Sequence, residues 1–309
     1  MSEPSKDRAF LRLAISAVNS ADDMHLQAAL TQIAGQDTAV IFNLEPRESV
    51  YSLEGRAESD LDSVCNRLRD EYHLAINVEP PTAVLLETVR KEAQAEGKYI
   101  RQTGGSGNYG HCKLRVEPNK SGKGYEFIND IKGGVIPMEY IKAVDQGVQA
   151  AMALGILAGF QMVDLKVTLF DGSYHDVDSN EMAFKFAGSI AFKEAARKAS
   201  PVLLEPVMAI EFEVPDDVSA AARNTIYTRR GRVERILTQD GFSEIRAVMP
   251  LSELLASDSG IAVCPMEFLG YEPVQDNGLS DEDGSGVTAN KPNRPRPGSR
   301  SETVRPDDN

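Results

Sequence analysis

Gly105-Ser-Gly-Asn-Tyr-Gly-His-Cys-Lys-Leu-Arg-Val116 is the stretch that decides between two folds. Its glycines match the dinucleotide-binding pattern G-x-G-x-x-G letter for letter. That fingerprint has to follow a strand and open a helix, so that a pyrophosphate meets the helix N-terminus. Here the glycines run instead into a strict alternation, with Cys112, Leu114 and Val116 apolar and Lys113, Arg115 and Glu117 charged. A period of two marks a half-buried strand. The glycine run therefore reads as the long turn of a hairpin, and no cofactor is expected on it.

Working outward, residues 81–201 read as one α+β region. Strands are expected up to residue 101, at 112–117, at 125–131 and at 163–170. A helix over 138–154 carries Ile141, Val144, Val148, Ala151 and Met152 on one face, and Gly155 ends it. A polar loop, 171–178, leads to a last helix. Asp178 and Glu181 have capping-box spacing for it, and Met182, Phe186, Ile190 and Ala191 mark its expected buried face.

Two flanking regions repeat another order. Residues 1–80 read as strand (10–15), helix (22–34), two strands (38–44 and 50–54), helix (59–72) and strand (73–78). Residues 202–275 repeat it, with a turn at Asp240-Gly241 and a second helix cut short after Leu255. The order β-α-β-β-α-β is ferredoxin-like. The fold class expected is α+β: two ferredoxin-like domains flanking a third α+β domain, with residues 276–309 too poor in apolar side chains to order.

Composition narrows the function. A 41% hydrophobic and 26% charged chain of 309 residues is globular. It has no apolar run of membrane-spanning length and no signal-peptide core, so no membrane partner is expected. Three scattered cysteines fit neither a disulfide framework nor a zinc site, which points to a reducing cytoplasm. The net charge of −14 opposes general binding to polyanions but leaves room for a local contact.

Candidate chemistry is sparse. His111 and Cys112 are adjacent on a strand, so their side chains leave opposite faces and form no nucleophile–base pair. Cys112 reads as core and His111 as a surface residue at a loop end. His175 sits among aspartates, but defined ligand spacing is missing; Tyr174 and His175 read instead as groups that stack on bases and hydrogen-bond to RNA. Arg229, Arg230 and Arg232, with Arg235, form the densest cationic patch, either a solvated hairpin rim or an RNA phosphate site. No phosphate-binding G-x-x-x-x-G-K-[ST] occurs, and no acid–base constellation suggests an enzyme.

Several longer stretches resemble elongation factor G. They are Glu96-Gly-Lys-Tyr-Ile-Arg-Gln-Thr-Gly-Gly-Ser-Gly-Asn-Tyr-Gly-His111, Lys123-Gly-Tyr-Glu-Phe-Ile-Asn-Asp-Ile-Lys-Gly-Gly-Val-Ile-Pro137 and Leu169-Phe-Asp-Gly-Ser-Tyr-His-Asp-Val-Asp-Ser-Asn-Glu-Met-Ala-Phe184, with Pro201-Val-Leu-Leu-Glu-Pro206 and Arg229-Arg-Gly-Arg232. The resemblance implies that residues 81–201 correspond to domain IV, the tRNA-mimicking arm that enters the decoding region of the ribosome. Residues 1–80 and 202–275 would then be domains III and V. The tip would comprise Gln102, Gly104, Gly105, Ser106, Gly107, Asn108, Tyr109, His111, Ser173, Tyr174, His175 and Asp176. In the family, glutamine and histidine at the positions of Gln102 and His175 help carry the codon–anticodon duplex. Arg229, Arg230 and Arg232 would face the GTPase-associated centre of the large subunit.

The departures from the family shape the expectation. With Met1 as a true start, the GTPase domain and domain II are absent. The family's Gly-Gly-Arg-Gly-Gln at the tip is here Gly104-Gly-Ser-Gly-Asn108, which removes a phosphate contact, and its Gly-Glu-Leu-His-Leu is here Gly55-Arg-Ala-Glu-Ser-Asp-Leu61. The basic stretch after the shortened helix has become Leu255-Ala-Ser-Asp-Ser259. The implied protein is a non-enzymatic ribosome-binding paralogue whose partner is the ribosome; the alternative is a module that pairs with a separate translational GTPase.

Overall fold

The structure, a computed structural model, describes residues 8–47, 49–101, 107–256 and 265–274. The expected tail and the Gln102, Gly104, Gly105 and Ser106 segment of the tip lie outside the described residues.

The first region follows the expected order: β1 (Leu11–Ala17), α1 (Asp23–Ala34), β2 (Ile41–Arg47), β3 (Val50–Gly55), α2 (Glu58–Asp70) and β4 (Ile76–Val78). The sheet order β2-β3-β1-β4, with β1 antiparallel to both β3 and β4, is that of the ferredoxin-like fold. Leu26, Leu30 and Ile33 of α1 and Leu61, Val64 and Leu68 of α2 are fully buried, at the helical spacing read from the sequence.

Two short strands follow. β5 (Thr82–Ala83) pairs with β1, and β6 (Leu86–Val89) pairs with β11 (Pro201–Pro215). On β6, Glu87 is completely buried, and its carboxylate accepts hydrogen bonds from the amides of Ile156, Leu157, Ala158, Gly159 and Phe160 at 2.6–3.0 Å. A buried charge is tolerable only when so completely satisfied.

The central sheet contains β7 (Ala93–Arg101), β8 (Asn108–Pro118), β9 (Glu126–Asn129) and β10 (Leu165–Ser173), in the order β7-β8-β10-β9. β9 and β10 are parallel and joined through α3 (Met138–Ala153), as a crossover requires. Cys112, Leu114 and Val116 point inward as the alternation demands. β10 continues past residue 170 through a bulge between Leu169 and Asp171.

The last helix, α4 (Glu181–Lys198), buries Ala191 as expected but otherwise a different face. Ala183, Phe184, Ala187, Ala191, Phe192, Ala195 and Ala196 are buried, whereas Met182, Phe186 and Ile190 are exposed. Close backbone approach explains the reversal. A Cβ placed on Gly97 of β7 would lie 2.1 Å from the Ala187 carbonyl, and one on Gly147 of α3 would lie 2.0 Å from the Lys185 carbonyl. Only the small-residue face of α4 fits so near a sheet and a second helix.

The third region repeats the first: β11, α5 (Asp216–Thr228), β12 (Arg232–Gln239), β13 (Phe242–Pro250), α6 (Leu251–Leu255) and β14 (Met266–Pro273), with sheet order β12-β13-β11-β14. Asp240 and Gly241 both have positive φ between paired Gln239 and Phe242, the two-residue hairpin turn that Asp-Gly favours. The short α6 agrees with the truncated second helix. The first and third regions share one hydrophobic core, and Phe10 stacks on Phe268 at 4.7 Å.

Candidate functional site

The ends of β8 and β10 meet the start of α4, and hydrogen bonds tie residues 107–109 to residues 178–180. The Gly107 amide donates to Asp178 Oδ1 (2.8 Å) and the Tyr109 amide to the Asp178 carbonyl (2.8 Å). Asn180 Nδ2 donates to Asn108 Oδ1 at 2.8 Å. Asn180 also caps α4, its Oδ1 accepting from the Ala183 amide at 2.9 Å. The expected cap, Asp178, is thus corrected: it ties the loops, and Asn180 stands at the helix N-terminus.

Beneath this seam lies a second polar line. Ser173 Oγ is 2.7 Å from the Tyr109 hydroxyl and 2.8 Å from His111 Nδ1. The reading of His111 as a surface residue is corrected too, because its residue is only 9% exposed. Its Nε2 lies 3.5 Å from Glu96, too far for a good hydrogen bond. Burial, then the nearby Lys98, holds the imidazole below its ordinary pKa, so it is neutral in a neutral solution. His111 supports the tip from behind.

What the tip presents is Tyr174, His175, Asp176 and Val177, all exposed. The His175 amide donates to Ser179 Oγ at 2.9 Å, and the Ser179 amide returns to the His175 carbonyl at 3.0 Å. His175 Nδ1 faces the amides of Val177 and Asp178, each at 3.4 Å, which leaves Nε2 for a partner. The Tyr109 and His175 rings lie 6.3 Å apart. Arg101, paired in register with Asn108, is exposed at the same end of the sheet. Sequence reasoning misses it because a single arginine at a strand end carries no pattern.

The arginine patch is arranged differently from a bare phosphate site. Arg230 turns inward to Glu205, Glu253 (2.7 Å) and Ser252 (3.1 Å). Arg232 makes two 2.8 Å bonds to Glu272. Arg229 sits at the C-terminal cap of α5 and is partly buried. The Cys112 thiol is pushed by burial up to about 12 and stays protonated, in keeping with a core residue. Among the described residues no group of three or more His, Cys, Asp or Glu side chains is placed to hold a metal, and no helix is long and apolar enough to cross a membrane.

Two ferredoxin-like regions flank a β7-β8-β10-β9 domain, with residues 107–109 tied to residues 178–180 at one end of it, and the comparisons give this arrangement its class, the C-terminal part of a translational elongation factor. The family model described as elongation factor G, domain IV matches residues 81–200, and that for the elongation factor G C-terminus matches residues 202–282. The chain belongs to the elongation factor G family. A crystal structure of a Thermus thermophilus protein is similar, with 32% identity and a TM-score of 0.64. It is matched over 85% of this chain and 40% of its own length, so the chain spans well under half of that protein.

Proposed function

We propose that this protein binds the ribosome through its domain IV tip, placing Tyr174, His175 and Asp176 in or near the decoding region without itself hydrolysing GTP. The observation that carries the proposal is the joining of residues 107–109 to residues 178–180 by Gly107–Asp178, Tyr109–Asp178 and Asn108–Asn180, with the exposed Tyr174 and His175 beside that seam. Rings and imidazoles held in this way suit RNA, whose unstacked bases are read by stacking and edge hydrogen bonds. Arg101 and the exposed Lys98 add local positive charge in a chain of net −14. The tip can therefore approach phosphate, since repulsion from acidic surface elsewhere is screened beyond ~10 Å.

With Arg230 turned to Glu205 and Arg232 paired with Glu272, neither presents an unpaired guanidinium to a large-subunit phosphate. The protein acts on the small subunit in the cytoplasm as a passive occupant of the factor site, in competition with the full factor. The test is displacement: labelled protein bound to purified ribosomes is challenged with excess full-length elongation factor G. Release supports the shared site. Retention at saturating factor places the protein elsewhere, and binding that requires an added GTPase favours a module of a split factor.

A further inference from the structure

β7 stands at the edge of the central sheet. Among the described residues it pairs only with β8, in unbroken register from Ala93 to Arg101. The Tyr109 amide donates to the Asp178 carbonyl, away from β7, so Tyr109 and its register partner Ile100 are a pair without mutual hydrogen bonds. Alternation then turns the amides and carbonyls of Gln94, Glu96, Lys98 and Ile100 to the open edge. A regular edge of this kind is a template for another strand unless it is bulged, covered or charged against pairing.

The charge on this edge is arranged to pair with itself. Glu96 and Lys98 are half-exposed on the sheet face opposite α4, on either side of Gly97, which faces α4. Antiparallel pairing of two β7 strands about a two-fold axis through Gly97 sets Glu96 opposite Lys98 of the second copy, and Lys98 opposite its Glu96. Gln94 then meets Ile100, so each outward-turned residue exchanges backbone hydrogen bonds with another. On the α4 side Ala95 comes opposite Tyr99, a small side chain beside a large one. Axes through residue 96 or 98 also match the hydrogen bonding, but they oppose glutamate to glutamate or lysine to lysine, which destabilises a cross-strand pair.

A second surface adjoins the edge. Tyr99 stacks on Phe186 of α4 at 4.8 Å, and Met182, Phe186 and Ile190 form an exposed apolar stripe at helical spacing. α3 packs on the other flank of α4, at Lys185 and Gly188. The two-fold axis puts both α4 helices on one side of the joined sheet with their stripes facing, so pairing covers apolar surface as well as backbone groups. We infer that two copies of this chain form a symmetric dimer through β7, with Glu96–Lys98 pairs across the seam and the α4 stripes in contact. A two-fold interface needs one self-complementary patch, and this edge supplies it. Nothing in the dimer depends on ribosome binding.

Sedimentation equilibrium of the full chain tests it. A monomer–dimer equilibrium with a Kd on the order of 10 μM is expected for a modest interface. Glu96→Lys and Lys98→Glu each oppose like charges at both symmetric positions, and each alone is expected to weaken the dimer about tenfold or more. Mixed in equal amounts, the two variants oppose unlike charges at both positions and are expected to associate with close to the parent's affinity. Both side chains are half-exposed, and matching far-ultraviolet circular dichroism verifies that each variant is folded. A parent that stays monomeric at about 100 μM overturns the inference. So does a dimer indifferent to both substitutions, or a mixture that associates no more tightly than either variant alone.

Discussion

The carboxylate of Asp178 accepts the Gly107 amide at 2.8 Å across 71 residues of sequence, so the end of the glycine loop and the start of α4 are one structural piece. A Cβ on Gly107 would stand 3.1 Å from the Asp178 carboxyl carbon, which shows how closely the two are seated. Asp178→Ala leaves the Gly107 amide without its acceptor at a cost of ~1–3 kcal/mol in local stability. Hydrogen exchange is expected to quicken at Gly107 and Tyr109 while α3 amides keep their protection.

His111 confers a pH dependence. The groups facing it are Glu96 and Lys98 of β7, Lys113 of β8 and Ser173 of β10, and burial outweighs the carboxylate in setting its lowered pKa. A base with a depressed folded-state pKa binds fewer protons folded than unfolded. Its contribution is complete above its ordinary 6.5 and is lost as pH falls below that value, levelling off once the folded-state pKa is passed. His111→Gln is expected to flatten the fall in urea midpoint between pH ~7.5 and ~5.5 relative to the parent.

Glu87 anchors the turn between α3 and β10 through five backbone amides. Glu87→Ala strands these donors in a buried site and is expected to cost ~3 kcal/mol or more, whereas Glu87→Gln keeps one acceptor oxygen and loses less. Urea unfolding of both variants checks the order.

Gly147 admits α4 to within backbone contact of α3, where an added Cβ would lie 2.0 Å from the Lys185 carbonyl. Gly147→Ala raises helix propensity yet is expected to destabilise by ~1–3 kcal/mol through forced separation of the helices. A rise in stability, read by thermal unfolding, would show that the helices part without penalty.

The same close packing explains which features are legible in the residues and which are not. The alternation from Cys112 to Val116 is legible because one face of β8 is dry and the other wet. The Asp240-Gly241 turn is legible because its backbone needs positive φ at both positions. The buried face of α4 is not, because contact with Gly97 and Gly147 selects alanine and glycine, while the bulkier Met182, Phe186 and Ile190 only look like core. His111 misleads because alternation places it on the outer sheet face, and only the structure shows Glu96 and Ser173 closing over it. At the tip, the run Asp178-Ser-Asn180 offers three capping residues in succession, and spacing to Glu181 favours the wrong one.

The placement of the tip is tested most directly by tethered hydroxyl-radical probing. A Tyr174→Cys variant in a Cys264→Ser background offers the exposed position 174 for an iron chelate, while Cys65 and Cys112 are buried. Ribosomal RNA cleavage is expected to be confined to the decoding region of the small subunit and to be lost on addition of excess full-length elongation factor G. Cleavage only at distant sites, or none from ribosomes that retain the labelled protein, would contradict the proposed placement.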